Sequence, residues 1–279
     1  MNIGKYIHQY SEDLRLKNYA DNTIKNYCSQ VELFLKHFEP IATKPSEISE
    51  KQIKTWLLQA NTINSRKHRI SAVKLFYQLT GKQPLKFKYI EYPRGEKKLP
   101  IVLSQQEIQA MFNACENLKH KVILSLLYAC GLRVSELLNL KWKHIDRSRM
   151  IINIIAAKGK KDRQVMLPEG LITLLEKYFY EYNSKEYLLN GQFSLQYSET
   201  SVNQVVKQLA KKAGINNKRV YTHLMRHCSF THMVEAGTDI NLIQKLAGHS
   251  NVKTTAIYTH ISHNLISKIK SPIDSINLT

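Results

Sequence analysis

Four short stretches of this 279-residue sequence carry side chains able to hold an anion or move a proton. In Gly131-Leu132-Arg133-Val134-Ser135-Glu136-Leu137, an arginine follows a glycine break at the end of a long apolar run. There a guanidinium sits at the rim of a core, where its planar fork of donors can grip phosphate. The plainer reading is a surface arginine paired with Glu136. In Ala157-Lys158-Gly159-Lys160-Lys161-Asp162-Arg163, a lysine on a turn can reach into a groove or an active site. The plainer reading is a solvated charge run. In His223-Leu224-Met225-Arg226-His227, two imidazoles stand at i and i+4 on one helix face with Arg226 beside them. Paired histidines at that spacing bind zinc in metalloproteases, but Leu224 stands where such an enzyme needs a glutamate base. Arg226 would also repel a cation, so an anion suits the group better than a metal. The fourth stretch places Gly248-His249 at a helix end and Tyr258 nine residues later. The chain has 15 tyrosines, so a lone one is ordinarily packing; its context singles Tyr258 out.

These stretches need elements to hold them. Residues 1–82 read as a helical unit. Ile24, Tyr27, Val31, Phe34, Leu35 and Phe38 repeat at helical spacing until Pro40. Ser49 and Gln52 form a capping box ahead of Ile53, Trp56 and Leu57. A third helix carries Ile63, Ile70, Val73, Phe76 and Tyr77, with Gly81 as its expected C-cap. Arg66, Lys67, Arg69 and Lys74 crowd that helix, either as a solvated face or as a face set against DNA phosphates. Residues 83–100 contain Pro84, Pro93, Gly95 and Pro100 and a charged cluster ending in Lys97 and Lys98, which reads as an extended linker. A second unit, residues 101–279, opens with another capping box, Ser104 and Glu107. Val122 to Cys130 reads as a buried helix that Gly131 breaks, and helical character resumes from Arg133 to Leu140. Isoleucine-rich Met150 to Ala157 and short apolar Gln164 to Leu167 read as a β-hairpin with a cationic turn, joined by a strand near Ile145. Helices follow over residues 171–182, 202–213, 223–236 and 240–247. The expected fold is therefore mainly α with a small antiparallel sheet, in two domains.

Composition narrows the partner. Lysine and arginine number 41 against 22 acidic residues, a net charge of +19. Residues 1–95 carry 16 basic and 8 acidic side chains and residues 96–279 carry 25 and 14, so both units are cationic. Two basic units facing one polyanion would give this distribution, and nucleic acid is the commonest such partner. No run approaches the ~20 apolar residues of a membrane span, and no basic amphipathic anchor suggests a membrane surface. Met1 to Tyr10 is too polar for a signal peptide. Cys28, Cys115, Cys130 and Cys228 are scattered without a C-x-x-C pair, which argues against a disulfide framework or zinc finger and fits a reducing cytoplasm.

The order and content of the four stretches resemble the tyrosine recombinases, the phage-integrase and Xer family. The resemblance spans essentially the whole chain and is strongest from Ser104 to His260. Its most specific part is Gly248-His249-Ser250 followed by Thr254-Thr255 and Ile257-Tyr258-Thr259-His260. Met225 and Ala247 stand where leucine is usual, both at apolar packing positions.

The resemblance implies a helical core-binding domain of the SAM-like type and a catalytic domain, forming a C-shaped clamp on duplex DNA. It maps the catalytic set onto Arg133, Lys158, His223, Arg226, His249 and Tyr258. In that assignment Tyr258 attacks the scissile phosphate and forms a covalent 3′-phosphotyrosine. Arg133 and Arg226 hold the non-bridging oxygens, His249 adds a donor, and Lys158 protonates the leaving 5′-oxygen. His223 positions the tyrosine or takes its proton, His227 supports the site, and Glu136 orients Arg133 or a histidine. The covalent link conserves the phosphodiester's free energy, so no metal, ATP or other cofactor is expected. DNA contacts are expected from Arg66, Lys67, Arg69, Lys74, Lys97, Lys98, Lys160 and Lys161. The family works as a homotetramer on two DNA sites. Residues 262–279 are then either an arm that docks on a neighbour through Leu265, Ile266 and Ile269 or a tail folded on its own domain. A directionality factor or a DNA translocase would be a further partner. Two other functions compete with strand exchange: DNA relaxation of the type IB topoisomerase kind, and non-catalytic regulation by DNA binding.

Overall fold

The computed structural model describes residues 1–95, 101–155, 162–192, 194–249 and 252–261. Its contacts divide the chain into two compact units, Met1–Lys97 and Lys98–Thr279.

The first unit is built from helices α1 (Ile3–Leu16), α2 (Asp21–Phe38), α3 (Glu50–Leu58) and α4 (Ile63–Leu79). Local chemistry sets their starts. Asn2, Ser49 and Thr62 each accept a backbone N–H of the first turn through the side chain, which satisfies donors the helix leaves free. The core is aromatic. Phe34 meets Phe38, Trp56 and Tyr77 edge-on at ring separations of 5.1, 5.1 and 6.0 Å, and Tyr10 bridges α1 to α4 by donating from its hydroxyl to the Ala72 carbonyl at 2.9 Å. Two expectations are corrected here. Thr80, not Gly81, caps α4, and Gly81 has no positive φ; the left-handed turn falls on Lys82. The stretch from Gln83 is not extended at its start: Pro84–Phe87 forms a 3-10 turn. Phe87 and Ile90 are buried in the first unit's core, with the Phe87 ring 5.7 Å from Tyr77. Burial of an aromatic side chain outweighs the proline signal there.

The second unit contains α5 (Gln105–Asn113), α6 (Leu118–Ala129) and α7 (Val134–Leu138). A three-stranded antiparallel sheet follows, β1 (Ile145–Asp146), β2 (Ile151–Ile154) and β3 (Arg163–Met166). Helices α8 (Glu169–Tyr182), α9 (Glu199–Lys212), α10 (Thr222–Glu235), α11 (Ile240–Ala247) and α12 (Val252–Ile261) complete it. The sheet order is β1-β2-β3, with Ile152 opposite both Ile145 and Val165. The fold is mainly helical with one small antiparallel sheet, as the sequence leads one to expect. One apolar core joins α5 to α10 and the buried faces of β2 and β3. A separate small cluster, Phe230, Val234, Ile243, Ala247 and Tyr258, binds α10, α11 and α12 together.

Candidate active site

The site begins where α6 ends. Gly131 takes φ +57, a left-handed conformation that an L side chain rarely adopts. A Cβ built there would lie 2.7 Å from Cζ of Phe230, so glycine is also required by close approach. The turn delivers Arg133 to the N-cap of α7, with Glu136 one turn on. The Glu136 carboxylate accepts from the Arg133 backbone N–H and from Arg133 Nη1, both at 2.7 Å. It also accepts from Arg163, the first residue of β3: Nη1 to Oε1 at 2.5 Å and Nη2 to Oε2 at 2.9 Å. Arg226 Nη1 stands 4.0 Å from the same carboxylate. Glu136 therefore orients two guanidinium groups, and among the described residues it pairs with arginines and not with a histidine.

Arg226 projects from α10 and is 1% exposed. It donates to the carbonyls of Gly131 and Ala247, the latter at 2.5 Å, and its guanidinium lies 4.7 Å over the Phe230 ring. Arg133 Nη2 reaches the same Ala247 oxygen at 3.1 Å. That carbonyl lies at the C-terminus of α11, which Gly248 closes at φ +59. Beyond it, His249 Nδ1 is 3.0 Å from the Thr255 hydroxyl, which ties the histidine to α12.

Tyr258 lies on α12, 1% exposed, among these groups. Its ring is 5.5 Å from Phe230, 5.7 Å from His227 and 6.2 Å from His249, with the last pair nearly parallel. His223 stands exposed one turn before His227, and their rings meet edge-on at 4.6 Å. The structure thus brings together Arg133, Glu136, His223, Arg226, His227, His249 and Tyr258, all from one chain. Among the described residues no group of three or more His, Cys, Asp or Glu side chains could hold a metal. Lys158, Lys160, Lys161, Lys97 and Lys98 and the tail 262–279 lie outside the described residues. In the first unit, Arg69 stacks on Trp56 at 4.6 Å and donates to its carbonyl at 3.3 Å, so it is committed to packing. Arg66, Lys67 and Lys74 are partly exposed on α4.

Electrostatics follow from crowding cations in a partly buried place. Burial pushes the Glu136 carboxyl up, but hydrogen bonds and charge from Arg163, then Arg133, more than reverse this and hold it at about 2. Burial, then Arg133 and Arg163, press Arg226 down to about 9, so it stays a cation at neutral pH. Burial and neighbouring cations lower His223, and lower His227 and His249 to about 4 each, which leaves neutral imidazoles. Burial raises the Tyr258 phenol, and Arg226 and Arg133 pull it partly back. The arrangement can hold a dianionic phosphate, offer it a phenol oxygen, and accept a proton nearby.

Two participants are not evident from local sequence reading. Arg163 looks like the end of a charge run, yet it shares the inward face of β3 with Val165, and that period-two alternation is the signal for it. Phe230 reads as ordinary core, and only its contacts with Gly131, Arg226 and Tyr258 reveal its place.

Residues 102–264 match the phage integrase family, and residues 7–86 match that family's N-terminal SAM-like domain. The chain belongs to the phage integrase family. It is a tyrosine recombinase, an enzyme that cleaves and rejoins DNA strands in site-specific recombination. A tyrosine recombinase from Thermosipho africanus is 32% identical, with 93% of this chain and 96% of that protein covered. Tyrosine recombinase XerA from Pyrococcus horikoshii is also 32% identical, over 92% of this chain and 89% of its own. The crystal structure of XerA recombinase covers 95% of this chain and 96% of its own at 29% identity, with a TM-score of 0.57. A lambda integrase dimer bound to a COC′ core site covers both chains fully with a TM-score of 0.77; at 15% identity this bears on the recombinase's fold alone.

Proposed function

We propose that this recombinase cleaves duplex DNA with Tyr258 as nucleophile and Arg133, Arg226 and His249 as the phosphate-holding groups. The phenol oxygen bonds to phosphorus as the bond to the 5′-oxygen breaks, giving a 3′-phosphotyrosine and a free 5′-hydroxyl. Arg133 and Arg226 present planar donors to the non-bridging oxygens as their charge grows. His223, neutral because its pKa is lowered, accepts the phenol proton. Lys158 supplies the proton to the leaving oxygen. Attack by a 5′-hydroxyl from a second duplex reverses these steps and exchanges strands.

The observation that carries this reading is the packing of the Tyr258 ring within 6.2 Å of His249 and against Phe230, the ring over which the Arg226 guanidinium also lies. Double-stranded DNA is the partner. Arg66, Lys67 and Lys74 of α4 and Lys97, Lys98, Lys160 and Lys161 contact phosphates, and a homotetramer pairs two sites. A directionality factor or a DNA translocase sets the outcome. The test begins with DNA trapped covalently by the enzyme in its native cell and sequenced. A nicked suicide duplex carrying that sequence is then incubated with the enzyme and run on a denaturing gel. A protein–DNA adduct that vanishes in Tyr258→Phe is expected. Absence of any adduct with wild-type protein would refute the assignment, and supercoil relaxation without joint products would place the chemistry with topoisomerases.

A further inference from the structure

We propose that Arg163 is a positioning residue whose task is to neutralise Glu136, so that Arg133 and Arg226 meet the scissile phosphate with their charge undiminished. The inference rests on the assignment of the phosphate site to Arg133 and Arg226.

Glu136 creates a conflict within the site. Its carboxylate is needed to fix Arg133, through the backbone N–H and Nη1. A carboxylate 4.0 Å from Arg226 nevertheless opposes the approach of an anion. Arg163 resolves this. It grips both carboxylate oxygens in a planar bidentate pair, the strongest geometry open to a guanidinium. Its side chain is only 8% exposed. Nη1 and Nη2 are engaged by Glu136, and Nε donates to the Leu246 carbonyl at 2.7 Å. Arg163 therefore serves the site through Glu136 and not by touching DNA.

The same side chain joins three elements that must stay in register. It opens β3, five residues after Lys158. It holds α7 through Glu136 and the last turn of α11 through Leu246. A Cβ on Gly248 would stand 2.9 Å from Arg163 Cδ, so the turn that presents His249 lies directly on this arginine. With the three histidines neutral, the described residues of the cluster hold three guanidiniums and one carboxylate, a net charge of two facing the anionic transition state before the charge of Lys158 is added. Without Arg163 that net charge falls to one.

The experiment uses the full chain and the suicide duplex on which wild-type enzyme forms its adduct, made with either a normal phosphate or a methylphosphonate at the scissile position. Methylphosphonate lacks one negative charge, so a defect caused by missing positive charge shrinks on it. Single-turnover cleavage at saturating enzyme is measured for Arg163→Met, Arg163→Lys and the double variant Glu136→Gln/Arg163→Met. We expect Arg163→Met to cleave the phosphate substrate at least about 100-fold more slowly than wild type, with DNA affinity within about threefold. On methylphosphonate the deficit is expected to shrink to less than about tenfold. The double variant, free of the uncompensated carboxylate, is expected to recover at least about tenfold over Arg163→Met on phosphate. Arg163→Lys, which keeps the charge, is expected to stay within about tenfold of wild type and covers the case in which Arg163→Met fails to fold. An equal deficit on both substrates, no recovery in the double variant, or a lysine variant as slow as the methionine one would each overturn the proposal. Wild-type and Tyr258→Phe adduct assays test the nucleophile separately, so failure of one assignment is distinguishable from failure of the other.

Discussion

Gly131→Ala probes the centre of the site without removing a single polar group. The added methyl meets the structure twice. At φ +57 an alanine carries the left-handed penalty of about 1–2 kcal/mol. Its Cβ also falls 2.7, 3.0 and 3.2 Å from three ring carbons of Phe230, which is fully buried. Overpacking of this kind costs about 1–3 kcal/mol. Together these give about 3 kcal/mol, which for a domain of this size corresponds to a fall in melting temperature of roughly 6–12 °C. The displaced ring lies under Arg226 and against Tyr258, so the strain passes to the proposed nucleophile and to the arginine proposed to hold the phosphate. Scanning calorimetry should show the lowered transition. Suicide-substrate cleavage at 15 °C, where the variant remains folded, should fall at least about tenfold. Adding Phe230→Leu should relieve the contact but not the backbone strain, and so restore part of the stability. A Gly131→Ala protein that melts within about 1 °C of wild type and cleaves at the normal rate would refute the reasoning.

Other outcomes follow from the same geometry. His227 and His249 are neutral in the fold with pKa values of about 4, whereas an unfolded histidine titrates near 6.5. Between those values the unfolded chain binds more protons, so their stabilising share is complete above about pH 6.5 and lost as pH falls toward 4. With solvent screening of these half-exposed rings the loss is about 2 kcal/mol for each, readable as a lower urea midpoint at pH 5 than at pH 7. Gly248→Ala, strained at φ +59 and pressed against Arg163, is expected to slow cleavage more than it weakens DNA binding, measured by single-turnover kinetics beside a binding titration. Trp56→Ala removes a side chain packed against Phe34 and Arg69, at a cost of about 3–5 kcal/mol, seen as early melting of the first unit. DNA affinity should fall by about 10³–10⁵ between 50 and 200 mM salt if six to ten phosphates are contacted. A flat salt profile would argue against a phosphate-tracking interface.

What could be read from the sequence was whatever short range controls. Ser49 with Gln52 and Ser104 with Glu107 are capping boxes three residues apart, and both form. Gly131 as a helix break and the antiparallel pairing of β2 with β3 are equally local. The pairing of Arg133 with Glu136 also spans three residues; in the structure that pair exists and lies beside Arg226. Long-range partners leave no such trace. Arg163 is 27 residues from Glu136 and 83 from Leu246, and Gly131 is 95 from the Arg226 that donates to it. Nor could composition show that Phe87 folds back onto Tyr77, because prolines nearby give the opposite signal. Tyr258 stood out among 15 tyrosines through its flanking residues, not through any physical property of its own.

The Tyr258 ring belongs to the same apolar cluster as Phe230, Val234, Ile243 and Ala247 of its own chain. With Tyr258 as the proposed nucleophile, a protomer so built carries its own blade and borrows none. Within an assembly, each copy would cut only the strand it grips. Mixing copies that lack the phenol with copies that lack a phosphate-binding guanidinium would regenerate no working centre, since neither could lend the other its missing half. The order of cuts would then be governed by which copies are switched on, and a single inactive copy would silence one defined strand.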